Sequence, residues 1–263
     1  MNMLVYKYLH PDRIDVLDNS AIRFTQPAAL NDPFEIMPRF NLYKEYIREE
    51  LIRGFRQTYR VDLPTQIESM LPSIIDEQLA ELKKQWGEYF GILSLTKKNN
   101  NALMWAHYAD SHRGFVVGFD SDSPFFKPGN GKARDGLREV KYAADRGVVP
   151  RTGLASLTDD ELGEYNDLFF FTKSDRWSYE EEIRILAMPQ KASRIIKVAD
   201  GCDICLFEFP PECIKEVILG CQISPDKKRA IVDVVNRKYP HAVLFQARLN
   251  EDKYDLDIVP YTA

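Results

Sequence analysis

The chain has 263 residues, of which 44% are hydrophobic and 29% charged, a balance typical of a folded protein rather than a disordered chain. Its formal net charge of −5 provides no basic field, so duplex nucleic acid is not the expected partner. The sequence shows neither a signal peptide at Met1 to His10 nor an apolar run of about 18 residues, which predicts a cytoplasmic protein without membrane segments.

Turn residues and the spacing of apolar residues divide the chain into strands and helices. The first half is predicted, in chain order, as a strand at Val5–Tyr8, a helix from Pro11, a strand at Ala21–Thr25, a turn at Asn31–Glu35, two helices over 42–86, a strand at Gly91–Thr96, a helix at Ala102–Ala109 and a strand at Gly114–Asp120. The second half follows as a strand at Val140–Tyr142, a helix at Asp159–Thr172, strands at Glu180–Met188, Ile204–Phe209 and Glu216–Leu219, a helix at Pro225–Tyr239, and strands at Val243–Phe245 and Asp257–Val259. Because strands and helices do not alternate regularly, this order predicts an α+β fold with a mixed or antiparallel sheet core.

Residues 42–88 differ from the strand-rich remainder. Apolar residues such as Ile67, Leu71 and Leu79 recur there at helical spacing, and Pro72 is expected to kink or divide the second helix. Because the sequence shows no interdomain linker, we predict a single domain of residues 1–263, with 42–88 as a helical insertion or cap.

The four cysteines lie between Cys202 and Cys221, and Cys202 and Cys205 form a C-x-x-C pair. A structural zinc site usually needs a second close pair, whereas Cys213 and Cys221 are widely separated. We therefore predict reduced cysteines on strands and turns, and no bound metal.

Residues Glu180–Arg184 form the most informative charged pattern. On a strand, alternate residues share a face, so Glu180, Glu182 and Arg184 are predicted to point to one side. Two carboxylates and a guanidinium there can bind and polarise a sugar hydroxyl. The same side chains can instead form an ion-pair ladder on a solvated sheet face, and both interpretations stay open.

The predicted helix at Ala102–Ala109 places Trp105 and Tyr108 on one face and turns His107 away from it. His107 and His112 can act as metal ligands, although beyond Asp110 no carboxylate completes a recognisable ligand spacing. The alternative is an aromatic core anchor beside histidines that are hydrogen-bonded to the backbone.

The turn Asn31–Glu35 also has two interpretations. Asn and Asp side chains bond nearby backbone N–H groups, and Pro33 fixes its φ angle, so the turn is predicted to close the opening β-α-β unit with Phe34 packed inward. A functional role would instead place Asp32 or Glu35 at the rim of a pocket.

Several of these motifs stand in a fixed order along the chain. They are Tyr6-Lys7-Tyr8, Asn31–Glu35, Met104–Asp110, Gly114-Phe115 and Trp177–Arg184. Together they resemble a large, mostly bacterial family, domain-of-unknown-function family 2971 (DUF2971), over most of the chain up to about Met188. Members of that family are often associated with mobile elements and anti-phage loci, which implies a role in defence but names no reaction.

The strand–helix–strand opening, the later Ser-x-Thr strand and the Glu-x-Glu strand resemble, at the level of the fold, the ADP-ribosyltransferases. This resemblance implies that Lys7 contacts the ribose or phosphate of NAD and that Ser94 supports the nicotinamide side. It further implies that Glu182 polarises a ribose hydroxyl and stabilises an oxocarbenium-like transition state. The sequence departs from that fold at Lys7, where a histidine or arginine is preferred.

The resemblance therefore implies an enzyme that consumes NAD. In this enzyme Glu182 would be the catalytic carboxylate, assisted by Glu180 and oriented by Arg184. The expected lining of the ligand pocket is Lys7, Ser94, Trp105, His107 and Tyr108. The expected ligand is a nucleotide-like small molecule, and a protein partner or target stays open. The alternatives are a non-catalytic sensor module that binds a nucleotide or a partner and, third, a nuclease, for which the sequence supplies no convincing metal-binding acidic cluster.

Overall fold

The computed structural model describes residues 3–128, 136–151, 158–199 and 201–262. Its internal contacts divide the chain into two compact units. We call the first, Met1–Ala29, Phe90–Val140 and Trp177–Ala263, the sheet unit. The second, Leu30–Tyr89 and Lys141–Arg176, is called the helical unit. The segment predicted as an insertion, 42–88, lies wholly in the helical unit, while the single-domain organisation stays a prediction.

The described residues form thirteen strands and six α-helices, labelled here in chain order. The strands are β1 (Leu4–Leu9), β2 (Ala21–Phe24), β3 (Gly91–Thr96), β4 (Phe115–Asp120), β5 (Arg138–Glu139), β6 (Lys141–Ala143), β7 (Thr172–Ser174), β8 (Glu182–Ala187), β9 (Arg194–Ile196), β10 (Ile204–Glu208), β11 (Ile214–Leu219), β12 (Val243–Leu249) and β13 (Leu256–Pro260). The helices are α1 (Asp15–Asn19), α2 (Asn41–Tyr59), α3 (Thr65–Tyr89), α4 (Ala102–Tyr108), α5 (Asp159–Phe170) and α6 (Pro225–Lys238). In the described residues, none of these helices is long and apolar enough to cross a membrane.

The sheet unit is built on an eight-stranded sheet in the order β13-β12-β11-β4-β1-β3-β8-β5. Strands β11 and β12 run parallel, and the other neighbouring pairs are antiparallel. A second sheet has the order β2-β10-β9. This mixed sheet with helices confirms the predicted α+β class.

One face of the eight-stranded sheet carries the main hydrophobic core. Alternate apolar residues such as Leu93 and Ile183 point into it and meet Phe207 from the smaller sheet and Val235 from α6. Helix α6 begins at a favourable cap, because the Ser224 side chain accepts a hydrogen bond from the Lys227 N–H and Pro225 occupies the first turn. The opposite face of the sheet packs into a separate cluster that includes Tyr8 and Trp105.

The helical unit confirms the helices predicted over 42–86 as α2 and α3, which contact each other. Helix α3 buries Leu71, Ile75 and Leu79 on one stripe and continues through Pro72, so the proline does not divide it. The predicted strand at Val140–Tyr142 is wrong in its extent. Residues 138–139 pair with β8 in the sheet unit, whereas β6 begins at Lys141 and pairs with β7 in the helical unit.

The turn Asn31–Glu35 differs from its prediction at Phe34, which is 64% exposed rather than packed inward. The cause is local, because Asp32 Oδ1 accepts the Phe34 N–H at 2.9 Å and the following Ile36 adopts a left-handed φ of 57°. All four cysteines are free thiols in the structure, and their reduced state in the cell stays a prediction.

Candidate functional site

The second face of the eight-stranded sheet is polar and aromatic where β1, β3 and β8 lie side by side. Tyr6 is opposite Thr96 on β3, and Thr96 is opposite Glu182 on β8. Because alternate residues share a face, Tyr8, Ser94 and Arg184 lie on this side as well. We call this surface, which α4 partly covers, the polar face.

Glu182 and Arg184 form a buried bidentate ion pair on the polar face. Arg184 Nε donates to Glu182 Oε1 at 2.7 Å, and Arg184 Nη2 donates to Oε2 at 2.9 Å. The two side chains are only 3% and 1% exposed, so the pair is not the solvated ladder that the sequence left open. Both oxygens of Glu182 are engaged by one guanidinium, which fixes the position of its carboxylate.

The predicted strand over Glu180–Met188 is wrong at its start, and this changes the position of Glu180. Residues Asp175–Glu180 form a 3₁₀ helix, Glu181 has a left-handed φ of 41°, and β8 begins at Glu182. Two side chains hold this junction: Thr96 Oγ1 donates to the Glu180 carbonyl at 2.5 Å, and Asn101 Nδ2 donates to the Tyr179 carbonyl at 2.7 Å. Glu180 thus reaches the site from a turn instead of from the strand.

The Glu180 carboxylate, on a residue 3% exposed, is tied to α4 through Tyr108. Tyr108 Oη donates to Glu180 Oε1 at 2.5 Å. Burial, the hydrogen bond to Glu180 and the charges of Glu180 and Glu182 raise the pKa of Tyr108 well above its usual value. The phenol therefore keeps its proton and remains a donor beside two carboxylates.

Aromatic rings extend outward from this pair of glutamates. The His107 ring is 6.2 Å from that of Tyr179 and 6.3 Å from that of Tyr108, and the Trp177 ring is 6.0 Å from Tyr179. His107 itself is exposed, as predicted for the face of α4 turned away from Trp105. We call His107, Tyr108, Trp177 and Tyr179 the aromatic rim.

Trp105 anchors α4 instead of lining an open pocket. It is fully buried, its Nε1 donates to the Asn99 carbonyl at 2.9 Å, and its ring meets Tyr8 edge-on at 5.4 Å. His112 stacks on it at 6.4 Å, and the buried Nδ1 of His112 has no partner within the described part of the chain. Burial lowers the pKa of His112, which favours the neutral ring.

Lys7 lies on the face of β1 opposite to the polar face. Strand alternation turns it away from Tyr6 and Tyr8, and it is in register with Val117, which belongs to the main core. Its Nζ donates to the Ser94 carbonyl at 2.8 Å, so Lys7 and Ser94 are linked across β1 and β3. The remaining predicted residues, Ser94, Tyr108 and Arg184, share the polar face with Glu182.

Sequence reasoning missed a contact between β1 and β11. Tyr6 Oη donates to Glu216 Oε2 at 3.2 Å across β4. Gly118 makes this possible, since a Cβ there would lie 2.9 Å from the Tyr6 ring and 3.1 Å from Glu216 Cβ. Burial raises the pKa of Glu216, and burial together with the charge of Glu216 raises the pKa of Tyr6 to about 12. Strand alternation places Tyr6 and Tyr8 on one face, but it does not indicate a partner 210 positions away.

Within residues 3–128, 136–151, 158–199 and 201–262, no group of three or more His, Cys, Asp and Glu side chains is arranged to hold a metal ion. The absence of zinc at Cys202 and Cys205 stays a prediction.

A comparison with protein families bears on the central part of this site. The model of a family described as a protein of unknown function (DUF2971) matches residues 104–185. This range includes most of α4, the aromatic rim, both glutamates and Arg184, and it supports the resemblance stated from the sequence motifs. No curated protein and no solved structure matches the chain.

Proposed function

We propose that the chain is an enzyme that cleaves the bond between nicotinamide and ribose in NAD, with the polar face as its active site. The observation that carries the proposal is the hydrogen bond from Tyr108 to Glu180, next to a second glutamate held by Arg184. Two carboxylates in different environments are the usual equipment for cleaving glycosidic bonds.

Glu180 is the better candidate for the reacting carboxylate. Both oxygens of Glu182 are bonded to Arg184, and Glu180 Oε1 accepts a hydrogen bond from the neutral phenol of Tyr108. A carboxylate whose two oxygens are both bonded to a guanidinium is a poor proton acceptor, because the positive charge favours its ionised form. Glu180 therefore suits stabilisation of a cation, and Glu182 suits a positioning and electrostatic role.

The aromatic rim suits a ligand with flat rings. Nicotinamide and adenine both stack on aromatic side chains. The ring centroid of Tyr179 lies 6.2 Å from that of His107 and 6.0 Å from that of Trp177. Ser94 on the same face adds a hydroxyl group that is able to bond ribose. This distribution of flat and polar groups supports a dinucleotide better than a purely apolar ligand.

In the proposed reaction, the bond between ribose C1′ and the pyridinium nitrogen breaks, and its electron pair neutralises the ring. Positive charge develops on the ribose, where a carboxylate stabilises the transition state more than the ground state. A water oxygen, or a hydroxyl of an acceptor, then bonds to C1′ and passes its proton to Glu180. The products are neutral nicotinamide and ADP-ribose, free or attached to the acceptor.

A specific observation favours a second candidate, a non-catalytic module that binds a nucleotide or a partner. Glu180 and Glu182 are both at least 96% buried and already hydrogen-bonded. A satisfied buried network of this kind also serves to specify a fold. In that case the aromatic rim would bind a ligand and leave it unchanged.

Release of nicotinamide from NAD, followed by chromatography, separates the two candidates. We expect release by the unmutated protein and its loss in Glu180→Gln, which keeps the shape of the side chain and removes its charge. Glu181→Gln is the matched control, because Glu181 is the adjacent residue, is 47% exposed and lies 3.7 Å from Lys98.

Thermal unfolding with NAD present completes the test. A ligand at about 100 times its Kd stabilises the folded state by about 2.7 kcal/mol, so binding is visible without turnover. A shift without nicotinamide release would favour the binding module. Neither shift nor release, with candidate protein partners added, would overturn the NAD proposal.

A further inference from the structure

The helical unit contains a cavity of ≈ 250 Å³ that is separate from the residues of the proposed active site. Its walls come from two stretches, the turn that precedes α2 and the loop after β6, together with residues near β7. Apolar groups such as Ile36, Met37 and Leu168 form much of the lining. The volume suits a compact molecule with few heavy atoms.

Asp32 places an unsatisfied acceptor at this cavity. The residue is 6% exposed, and its Oδ2 atom is buried without a hydrogen-bond partner among the residues that the structure describes. The other oxygen, Oδ1, accepts the backbone N–H of Phe34 at 2.9 Å. A buried carboxylate oxygen left without a donor is costly, so it calls for a functional explanation.

The charges around the cavity favour a cation. Three acidic side chains line it, Asp32, Glu35 and Asp145, against two basic ones, Arg146 and Lys173. The ammonium of Lys173 lies 3.0 Å from the Glu35 carboxylate, and both side chains are 5% exposed. The Arg146 guanidinium donates to the Met37 carbonyl at 2.6 Å. Lys173 is thus paired with Glu35 and Arg146 with a backbone carbonyl, whereas Asp32 Oδ2 accepts no hydrogen bond from the described residues.

The rim of the cavity has two features typical of a binding loop. Phe34 lines the cavity yet is 64% exposed, which leaves an aromatic face available to a ligand. Ile36 has a φ of 57°, which is rare and strained for a β-branched residue. Strain of this kind persists at ligand sites, where the surrounding structure holds it.

We propose that this cavity binds a small organic cation, an ammonium or amidinium group on a compact apolar body. The cationic N–H groups donate to Asp32 Oδ2, and the apolar body packs against Phe34 and Leu168. An aromatic ring beside a cation adds a further attraction. The proposal goes beyond the proposed NAD chemistry, which uses residues of the sheet unit alone.

Benzamidine and its neutral isostere benzamide are suitable probes, because they differ mainly in charge. Calorimetric titration of the full chain is expected to show benzamidine binding with a Kd on the order of 1 mM, and much weaker binding of benzamide. Asp32→Asn should weaken benzamidine binding by about tenfold or more, and Phe34→Ala by about threefold. Glu164→Gln is the matched control, since it removes an acidic charge from an exposed position of the helical unit outside the cavity lining.

The stability of Asp32→Asn separates ligand binding from a structural role. Asparagine keeps the oxygen that accepts the Phe34 N–H and removes an unpaired buried charge, so its melting temperature should match or exceed that of the unmutated protein. A marked fall in that temperature would show that Asp32 serves the fold, and would overturn the proposal. Equal benzamidine affinity in Asp32→Asn, or no saturable binding by the unmutated chain, would do the same.

Discussion

The two faces of the eight-stranded sheet carry different kinds of side chain, although the same strands form both. On β8, Ile183 and Ile185 point into the main core, while Glu182 and Arg184 point to the polar face. The first face meets the smaller sheet and α6 through apolar side chains. The second meets α4 through tyrosines and a tryptophan, and Tyr108 on α4 donates a hydrogen bond to the Glu180 carboxylate.

This difference should make the two faces respond differently to substitution. Burial of apolar area is not directional and tolerates substitutions that conserve volume. Paired charges in a buried site depend on partner and geometry, and they are costly when one partner is lost. Substitutions on the two faces should therefore differ in kind, and the following predictions test that difference.

The largest effect is expected at Arg184. Arg184→Met removes the guanidinium that is bonded to both oxygens of the buried Glu182 carboxylate, which should lower the free energy of unfolding by about 3–5 kcal/mol. Ile185→Val, one residue further along on the opposite face, should cost only about 0.5–1.5 kcal/mol. Urea unfolding measured by circular dichroism gives both values.

The double variant Glu182→Met with Arg184→Met sharpens this prediction. Replacing both partners by apolar residues removes the unpaired charge, so much of the lost stability should return. A double variant as unstable as Arg184→Met alone would show that shape, and not charge pairing, dominates at this position.

A smaller effect is expected at Gly118. This residue lies on β4 between the core residues Val117 and Phe119, and a Cβ there would point toward Tyr6 and Glu216. Gly118→Ala introduces a Cβ 2.9 Å from the Tyr6 ring, and should lower the free energy of unfolding by about 1–3 kcal/mol. In a Tyr6→Leu background the same substitution should cost less, because the crowding ring is gone. Equal costs in the two backgrounds would place the strain in the backbone of β4.

The smallest effect is a dependence of stability on pH that arises at His112. Burial lowers the folded-state pKa of His112. The neutral ring therefore makes its full contribution to the free energy of unfolding above the usual histidine pKa of about 6.5. As the pH falls from there toward the folded-state pKa, the unfolded chain takes up a proton that the folded chain resists, and stability declines. Melting temperatures between neutral and mildly acidic pH should therefore fall less in His112→Gln than in the unmutated protein.

The elements of the fold were largely predictable, because apolar spacing is a local signal. The helices over 42–86 and most of the strands follow from it. The break at Val140 was not predictable, since residues 138–139 and 141–143 pair with different sheets through contacts remote in sequence. The order of the eight strands was equally beyond the reach of local spacing.

The site was only partly predictable for the same reason. Glu182 and Arg184 were correctly placed on one face by strand alternation. Glu180 was not, because the left-handed Glu181 interrupts the alternation, and a non-glycine residue gives little warning of that conformation. The exposure of Phe34 likewise depends on the backbone of Ile36, which the apolar pattern does not report.

The central claim, that the polar face carries the chemistry, is tested most directly by steady-state NAD cleavage in Glu180→Gln and Glu181→Gln. We expect Glu180→Gln to lower kcat by about 10²–10⁴-fold with little change in KM, while Glu181→Gln retains both. The melting temperatures of the two variants should stay close to that of the unmutated protein. Unchanged kcat in a folded Glu180→Gln variant would contradict the account and remove the polar face as the site of reaction.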